Sequence, residues 1–273
     1  MKPQNLFRQA LLIGAIIFFI SIPLSAQNFW QRTNGPYFYP TINSMGYDAK
    51  GNIYAAIYPK GVYRSSDNGT TWKSLSNGLD TVLINYNRFF RVKDNTLFLQ
   101  TTGNSFFTST DNGDSWKLLN YKIDSNRITA IVISDSGYIF AGTRDSGVYL
   151  SKDKGKTWKA TSFGNHQIGS MVITAYNHLI VTSPDMSGNY WPYVSTDNGN
   201  YWQACPVPTG SISGSPVYPY TLTADDSGYV FIGSESYIGR STDGGFTWEA
   251  IHDSTGFTLN IFSFNIIHDT VFA

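Results

Sequence analysis

An all-β fold of repeated four-stranded sheets, a β-propeller, is predicted by three features of this 273-residue sequence. The pattern Ser-x-Asp-x-Gly-x-x-Trp occurs five times. Its Ser residues, Ser65, Ser109, Ser151, Ser195 and Ser241, lie 44, 42, 44 and 46 apart, and a fixed period of that size marks a repeat architecture. Between the copies run short alternating apolar stretches bounded by Gly, Asn, Asp and Ser, the pattern of strands and turns. Four such stretches per unit of about 40 residues make the blade of a propeller.

The repeated pattern reads as a hairpin turn. Its fixed positions are Ser65, Asp67, Gly69 and Trp72 in the first copy, then Ser109, Asp111, Gly113 and Trp116 in the second. Ser151, Asp153, Gly155 and Trp158 form the third, Ser195, Asp197, Gly199 and Trp202 the fourth, and Ser241, Asp243, Gly245 and Trp248 the fifth. The Asp can fold its carboxylate onto backbone N–H groups of its own turn, and the Gly supplies a positive φ without a Cβ penalty. The Trp then enters the core as the next strand begins, a packing anchor whose truncation costs about 3–5 kcal/mol. Thr, Ser or Tyr stands just before each Trp.

This motif is the Asp-box, or bacterial neuraminidase repeat, and the chain resembles the Asp-box β-propellers. That group includes sialidases, xyloglucan-degrading glycosidases, sortilin-type receptors and the propeller that assists photosystem II assembly. The resemblance covers nearly all of the chain after its N-terminal segment and is specific for fold. It implies that the box is a structural turn remote from the active or binding face.

Within a unit the elements follow one order. In the first, Ile42 to Tyr47, Asn52 to Tyr58, Gly61 to Ser65 and Thr71 to Leu75 are the four strands. The third repeats this with Ile128 to Ile133, Tyr138 to Gly142 and Gly147 to Leu150 before its box. The second uses Arg88 to Val92, Leu97 to Gln100 and Phe106-Phe107; the fourth uses Met171 to Ala175, Leu179 to Thr182 and Tyr193-Val194. Tyr220 to Ala224, Tyr229 to Gly233 and Tyr237 to Arg240 serve in the fifth. Phe29 to Gly35, with Trp30, looks like the close of a repeat that lacks its box, an outer strand donated by the N-terminus to close the ring and remove free edges. Ile261 to Ala273 starts a sixth unit, so the sequence is expected to be part of a longer protein of six or seven blades, with further C-terminal modules.

Residues 1–26 read as a secretory signal, and residues 27–273 as the propeller. Lys2 and Arg8 give a positive start, Leu11 to Leu24 is an apolar run short of a ~20-residue span, and small residues precede Gln27. With the signal removed, 17 basic residues face 19 acidic ones, and no basic run points to nucleic acid. No membrane span is expected after cleavage. Cys205 is the only Cys, so no intramolecular disulfide forms.

In a propeller the loops from second to third strand and from fourth strand to the next unit crowd one face around the central channel. Asp80, Asp124, Asp145, Asp185, Glu235 and Asp253 are the carboxylates left for that face once boxes and opposite turns are set aside. Trp191 is the one Trp the repeat does not explain. Second strand and box are 11 residues apart in the first three units (Tyr54 to Ser65, for example) but 15 in the fourth, from Ile180 to Ser195. The extra residues lie in Pro184 to Trp191, which places Tyr190 and Trp191 beside Asp185: a surface that stacks on a sugar ring or anchors a protein. Alternatively Trp191 opens the third strand and is half buried; the residues leave both readings open. Arg127, Arg144 with Asp145, His166 with Gln167, and Tyr218 to Tyr220 complete the candidates.

No catalytic constellation, metal-ligand spacing or cofactor fingerprint stands out. The sialidases of the resembling group need an Arg-Ile-Pro signature ahead of the first box, three Arg and a Tyr–Glu pair, whereas this chain reads Asn34-Gly35-Pro36-Tyr37 there. A xyloglucanase-like inverting reaction needs two carboxylates roughly 6.5–9.5 Å apart, and no spacing here singles out a pair. The sequence therefore points to an exported binding module for a glycan or an envelope protein, with a glycoside hydrolase as the alternative.

Overall fold

The computed structural model describes residues 41–48, 50–58, 60–79, 88–91, 96–100, 106–118, 128–185, 190–205, 207, 221–233, 238–251, 265–267 and 270–272. Among them are five four-stranded sheets and a two-stranded one, all antiparallel meanders in chain order. The first sheet joins β1 (Thr41–Tyr47), β2 (Ile53–Tyr58), β3 (Gly61–Ser65) and β4 (Lys73–Ser74). The second holds β5 (Arg88–Arg91), β6 (Leu97–Gln100), β7 (Phe106–Ser109) and β8 (Lys117–Leu118). β9 (Ile128–Ile133), β10 (Ile139–Thr143), β11 (Val148–Ser151) and β12 (Lys159–Ala160) form the third. The fourth comprises β13 (Met171–Ile173), β14 (Leu179–Pro184), β15 (Tyr190–Ser195) and β16 (Gln203–Ala204). The fifth comprises β17 (Thr221–Ala224), β18 (Val230–Gly233), β19 (Ile238–Ser241) and β20 (Glu249–Ile251). β21 (Asn265–Ile267) pairs with β22 (Thr270–Phe272).

Strand period and core fit together. Side chains alternate across a strand, so the central strand of each sheet feeds two apolar layers. Leu97 and Leu99 of β6 pack with Tyr54, Val62 and Leu75 of the first sheet, while Phe98 joins Ile128, Ile131 and Ile139 of the third. Phe140 of β10 meets Leu179 and Val181 of β14; the intervening Ile180 faces Leu222, Val230 and Ile232 of the fifth sheet. The core is thus a series of layers between successive sheets. First strands lie side by side, β1 by β5, β9 by β13 and β13 by β17.

The repeated turn closes each sheet in the same way. The buried Ser hydroxyl donates to Asp Oδ1 and accepts the Gly N–H at 2.8 Å in all five copies. Asp Oδ1 also accepts the N–H four residues on, from Thr71, Ser115, Thr157, Tyr201 and Thr247. Its Oδ2 accepts the hydroxyls of Thr71, Ser115, Thr157 and Thr247 at 2.5–2.6 Å. Two successive residues take positive φ: Gly69 (85°), and before it Asn68 (55°), with Lys154 (61°) in that place in the third copy. The hydroxyl bonds hold the Asp67, Asp111 and Asp153 carboxyls down at about 2, the Thr71, Ser109 and Thr157 hydroxyls being the first cause in each.

The Trp residues divide. Trp116 and Trp248 are buried, whereas Trp72, Trp158 and Trp202 are half buried. Four indole N–H groups donate to the Gly carbonyl of their own turn, and Trp116 instead reaches Leu75 O in the preceding sheet at 2.7 Å. Each Trp therefore anchors its turn by a hydrogen bond as well as by packing.

Of the two readings of the lengthened stretch in the fourth unit, the structure has the second: β14 and β15 stay paired out to Ser183–Trp191 and Pro184–Tyr190, so Trp191 stands in the third strand, half buried. The segment around Trp30 and the expected signal, Met1 to Ala26, lie outside the described residues.

Candidate functional site

Where the third and fourth sheets meet, one short segment laces two hairpins together. The β10–β11 loop is tightened by Thr143, whose N–H and hydroxyl both donate to Gly147 O, at 2.9 and 2.8 Å. Ser146 N–H donates back to the Thr143 hydroxyl at 2.9 Å. Gly147, with φ of 71°, donates to His166 O at 3.0 Å, and a Cβ there would stand 1.9 Å from Gly164 O. Ile168 N–H then donates to Thr143 O, while Gly169 N–H and Ser170 N–H donate to Thr182 O and Oγ1 in β14. The chain from 164 to 170 thereby fixes the β10–β11 loop beside β14.

This lacing places the described candidates at one end of two adjacent sheets. Arg144 and Asp145 are exposed on the β10–β11 loop, and Ser146 Oγ donates to Asp145 Oδ1 at 3.2 Å. Asp185 follows directly on β14. Trp191 is half buried in β15, packs on the apolar layer that holds Ile180, Val194 and Cys205, and donates its indole N–H to Asp185 Oδ2 at 2.9 Å. The Tyr190 ring lies over Gly169, where a Cβ would come within 3.0 Å of Cε1. In register beside Trp191, Ser183 is 1% exposed, and its hydroxyl has no hydrogen-bond partner among the described residues. Arg127 and Tyr218 lie outside the described residues, as do Asp80, Asp124, Glu235 and Asp253.

The electrostatics of this end are those of scattered single charges. Burial pushes the Tyr193 hydroxyl up, helped by the Asp185 charge. Cys205 is buried, and its thiol is raised to about 11 by desolvation and then by Asp243. Such a thiol is a packing group, not a nucleophile. Among the described residues no three His, Cys, Asp or Glu stand together as a metal site, and no helix is long and apolar enough to cross a membrane.

Of a second residue group, which reaches the fourth turn, the sequence reading names only His166 as a candidate. Phe163, His166, Asn200, Tyr201 and Trp202 line a cavity of about 380 Å³ with Tyr193. Phe163 is its hub, edge-on to His166 (5.5 Å), Tyr193 (5.1 Å) and Trp202 (4.8 Å) between ring centroids. The available signal was Tyr201, which stands where the other turns carry Thr or Ser.

No family model matches the chain, and no curated protein matches it. Solved structures do. YCF48 bound to D1 peptide superposes with a TM-score of 0.62 at 16% identity, over 83% of this chain and 72% of that one. The GH74 xyloglucanase of Xanthomonas campestris gives 0.56 at 17% identity, over 77% of this chain and 38% of the enzyme. PorZ, a surface component of the type-IX secretion system of Porphyromonas gingivalis, gives 0.55 at 13%, over 70% and 30%. The fold is that of the β-propellers. The chain spans less than half the length of the latter two proteins.

Proposed function

We propose that this chain is an exported Asp-box β-propeller that acts as a binding module for a glycan or an envelope protein. The observation that carries this reading is the lengthened β14–β15 hairpin, where Trp191 and Asp185 are clasped beside the exposed Arg144 and Asp145. An aromatic side chain whose polar edge is already fixed loses little freedom on binding, which is what a contact residue needs. Arg127 and Tyr218 are assigned to the same face by their place in the repeat. Residues 1–26 are its export signal.

Two of the similar structures lend support in kind. YCF48 was solved with a peptide bound, and PorZ is a bacterial surface component. The test is a glycan array probed with wild type and Trp191→Ala: signal that disappears in the variant supports the reading, and unchanged signal removes Trp191 from it.

Similarity to the GH74 xyloglucanase keeps a second reading, glycoside hydrolysis, with Asp145 and Asp185 as the described carboxylates at this end. Reducing-sugar release from xyloglucan that is lost in Asp145→Asn or Asp185→Asn would favour it.

A further inference from the structure

The fourth turn breaks the rule that the other four keep. In those, a Thr or Ser hydroxyl donates to Asp Oδ2 at 2.5–2.6 Å. Here Tyr201 occupies that place. Its backbone N–H still reaches Asp197 Oδ1 at 2.9 Å, but its ring turns outward and is 69% exposed. Asp197 Oδ2 receives no hydrogen bond among the described residues. The turn thus forgoes one charge-assisted bond and displays a large aromatic ring, and that ring forms one wall of the cavity around Phe163.

The walls define what fits. No Lys, Arg, Asp or Glu lines the cavity, so nothing in it selects an anion or a cation by charge. Aromatic faces offer apolar contact. Around them, the hydroxyls of Tyr193 and Tyr201, the His166 ring nitrogens and Asn200 Oδ1 make no hydrogen bond among the described residues. Asn200 Nδ2 and the Trp202 indole N–H are already committed to Asp197 O and Gly199 O. A quaternary ammonium group would use the rings alone and leave these four polar groups to water. A pyranose presents a C–H face to an aromatic ring and hydroxyls at its edge, matching both kinds of group. At about 380 Å³ the cavity is within the usual range for a small-ligand site. Its floor is also rigid: Ser162 N–H donates to Gly199 O at 3.0 Å, and its hydroxyl donates to Asn200 O at 2.7 Å, fixing the third sheet's exit against the fourth turn.

We infer that this aromatic cavity between the third and fourth sheets binds a neutral pyranose of a glycan chain, with Tyr201 as the stacking platform. The inference rests on the binding-module reading for its biological setting and uses different residues from the Trp191 face.

The test uses the purified chain, titrated by intrinsic fluorescence with β-1,4-glucan, β-1,4-mannan and α-1,4-glucan tetrasaccharides. The variants are Tyr201→Thr, which restores the hydroxyl of the other turns, and Trp191→Ala. The expected result is saturable binding of at least one tetrasaccharide, weakened about tenfold or more by Tyr201→Thr, while thermal stability holds or rises. Stability that holds while affinity falls separates loss of the platform from loss of fold. Absence of binding by every tetrasaccharide overturns the inference, as does binding that Tyr201→Thr leaves unchanged. Binding lost in Trp191→Ala but not in Tyr201→Thr also overturns it and leaves the Trp191 face standing. Choline chloride serves as a competitor, and displacement of the saccharide by choline would contradict the neutral-sugar assignment.

Discussion

Trp191 donates its indole N–H to Asp185 Oδ2 at 2.9 Å, closing the end of the β14–β15 hairpin. The bond links a residue just past one strand to a residue within its partner, so it sets the hairpin's reach. Trp191→Phe keeps an aromatic ring but removes the donor and part of the packing volume, and is expected to cost about 1 kcal/mol or more in urea unfolding. Trp191→Ala also empties part of the apolar layer around Ile180 and Val194, for a total of about 2–3 kcal/mol. Equal stability of wild type and Trp191→Phe would show that the clasp contributes nothing.

The box carboxylates predict a dependence on pH. Asp67, Asp111 and Asp153 sit at about 2 in the fold, below the ordinary 3.8. A carboxyl depressed by folding stabilises the native state at pH above its unfolded value, and that contribution is lost as pH falls through the folded one. The urea midpoint should therefore be flat at neutral pH and decline from about pH 4 toward about pH 2. Replacing Asp67, Asp111 and Asp153 together by Asn should flatten that decline, and an undiminished decline in the triple variant would contradict the assignment.

Two glycines with nearly the same φ separate crowding from backbone strain. Gly137 (φ 78°) has open space around a would-be Cβ, and Gly147 (φ 71°) has Gly164 O at 1.9 Å. Gly137→Ala should cost about 1 kcal/mol, the price of a left-handed residue alone. Gly147→Ala should cost about 3 kcal/mol or more, because a backbone carbonyl cannot swing away as a side chain can. Thermal denaturation of the two variants decides it, and equal costs would deny the close approach of the β10–β11 loop to residue 164.

Trp116 and Trp158 hold the same place in their turns but different surroundings. Trp116 is 4% exposed and bonded to the preceding sheet, while Trp158 is half buried and bonded within its own turn. Trp116→Ala should lose about 3–5 kcal/mol and Trp158→Ala about half of that. A larger loss at Trp158, measured by chemical denaturation, would reverse the account of how the sheets are joined.

Much of this was legible because the determinants are local. A Ser, an Asp and a Gly within five residues fix a turn without outside help, and alternation in Leu97-Phe98-Leu99 declares a strand buried on both faces. What the sequence concealed depends on distant partners. Lys154 adopts positive φ only because the turn around it is over-determined. Pro184, which usually marks a break, ends β14 instead of preventing its extension, because Tyr190 pairs with it across the hairpin. Tyr201 was visible as the odd residue before a Trp, but it lines a cavity with Phe163 and His166, which stand 35 or more residues earlier, so no local pattern announces the cavity.

That five copies of one turn organise the chain is most directly tested by amide hydrogen exchange at Gly69, Gly113, Gly155, Gly199 and Gly245. Each N–H donates to a buried Ser hydroxyl at 2.8 Å, so all five should exchange slowly and to a similar degree in the native protein. Exchange at the rate of an unprotected loop at any of them would contradict the claim.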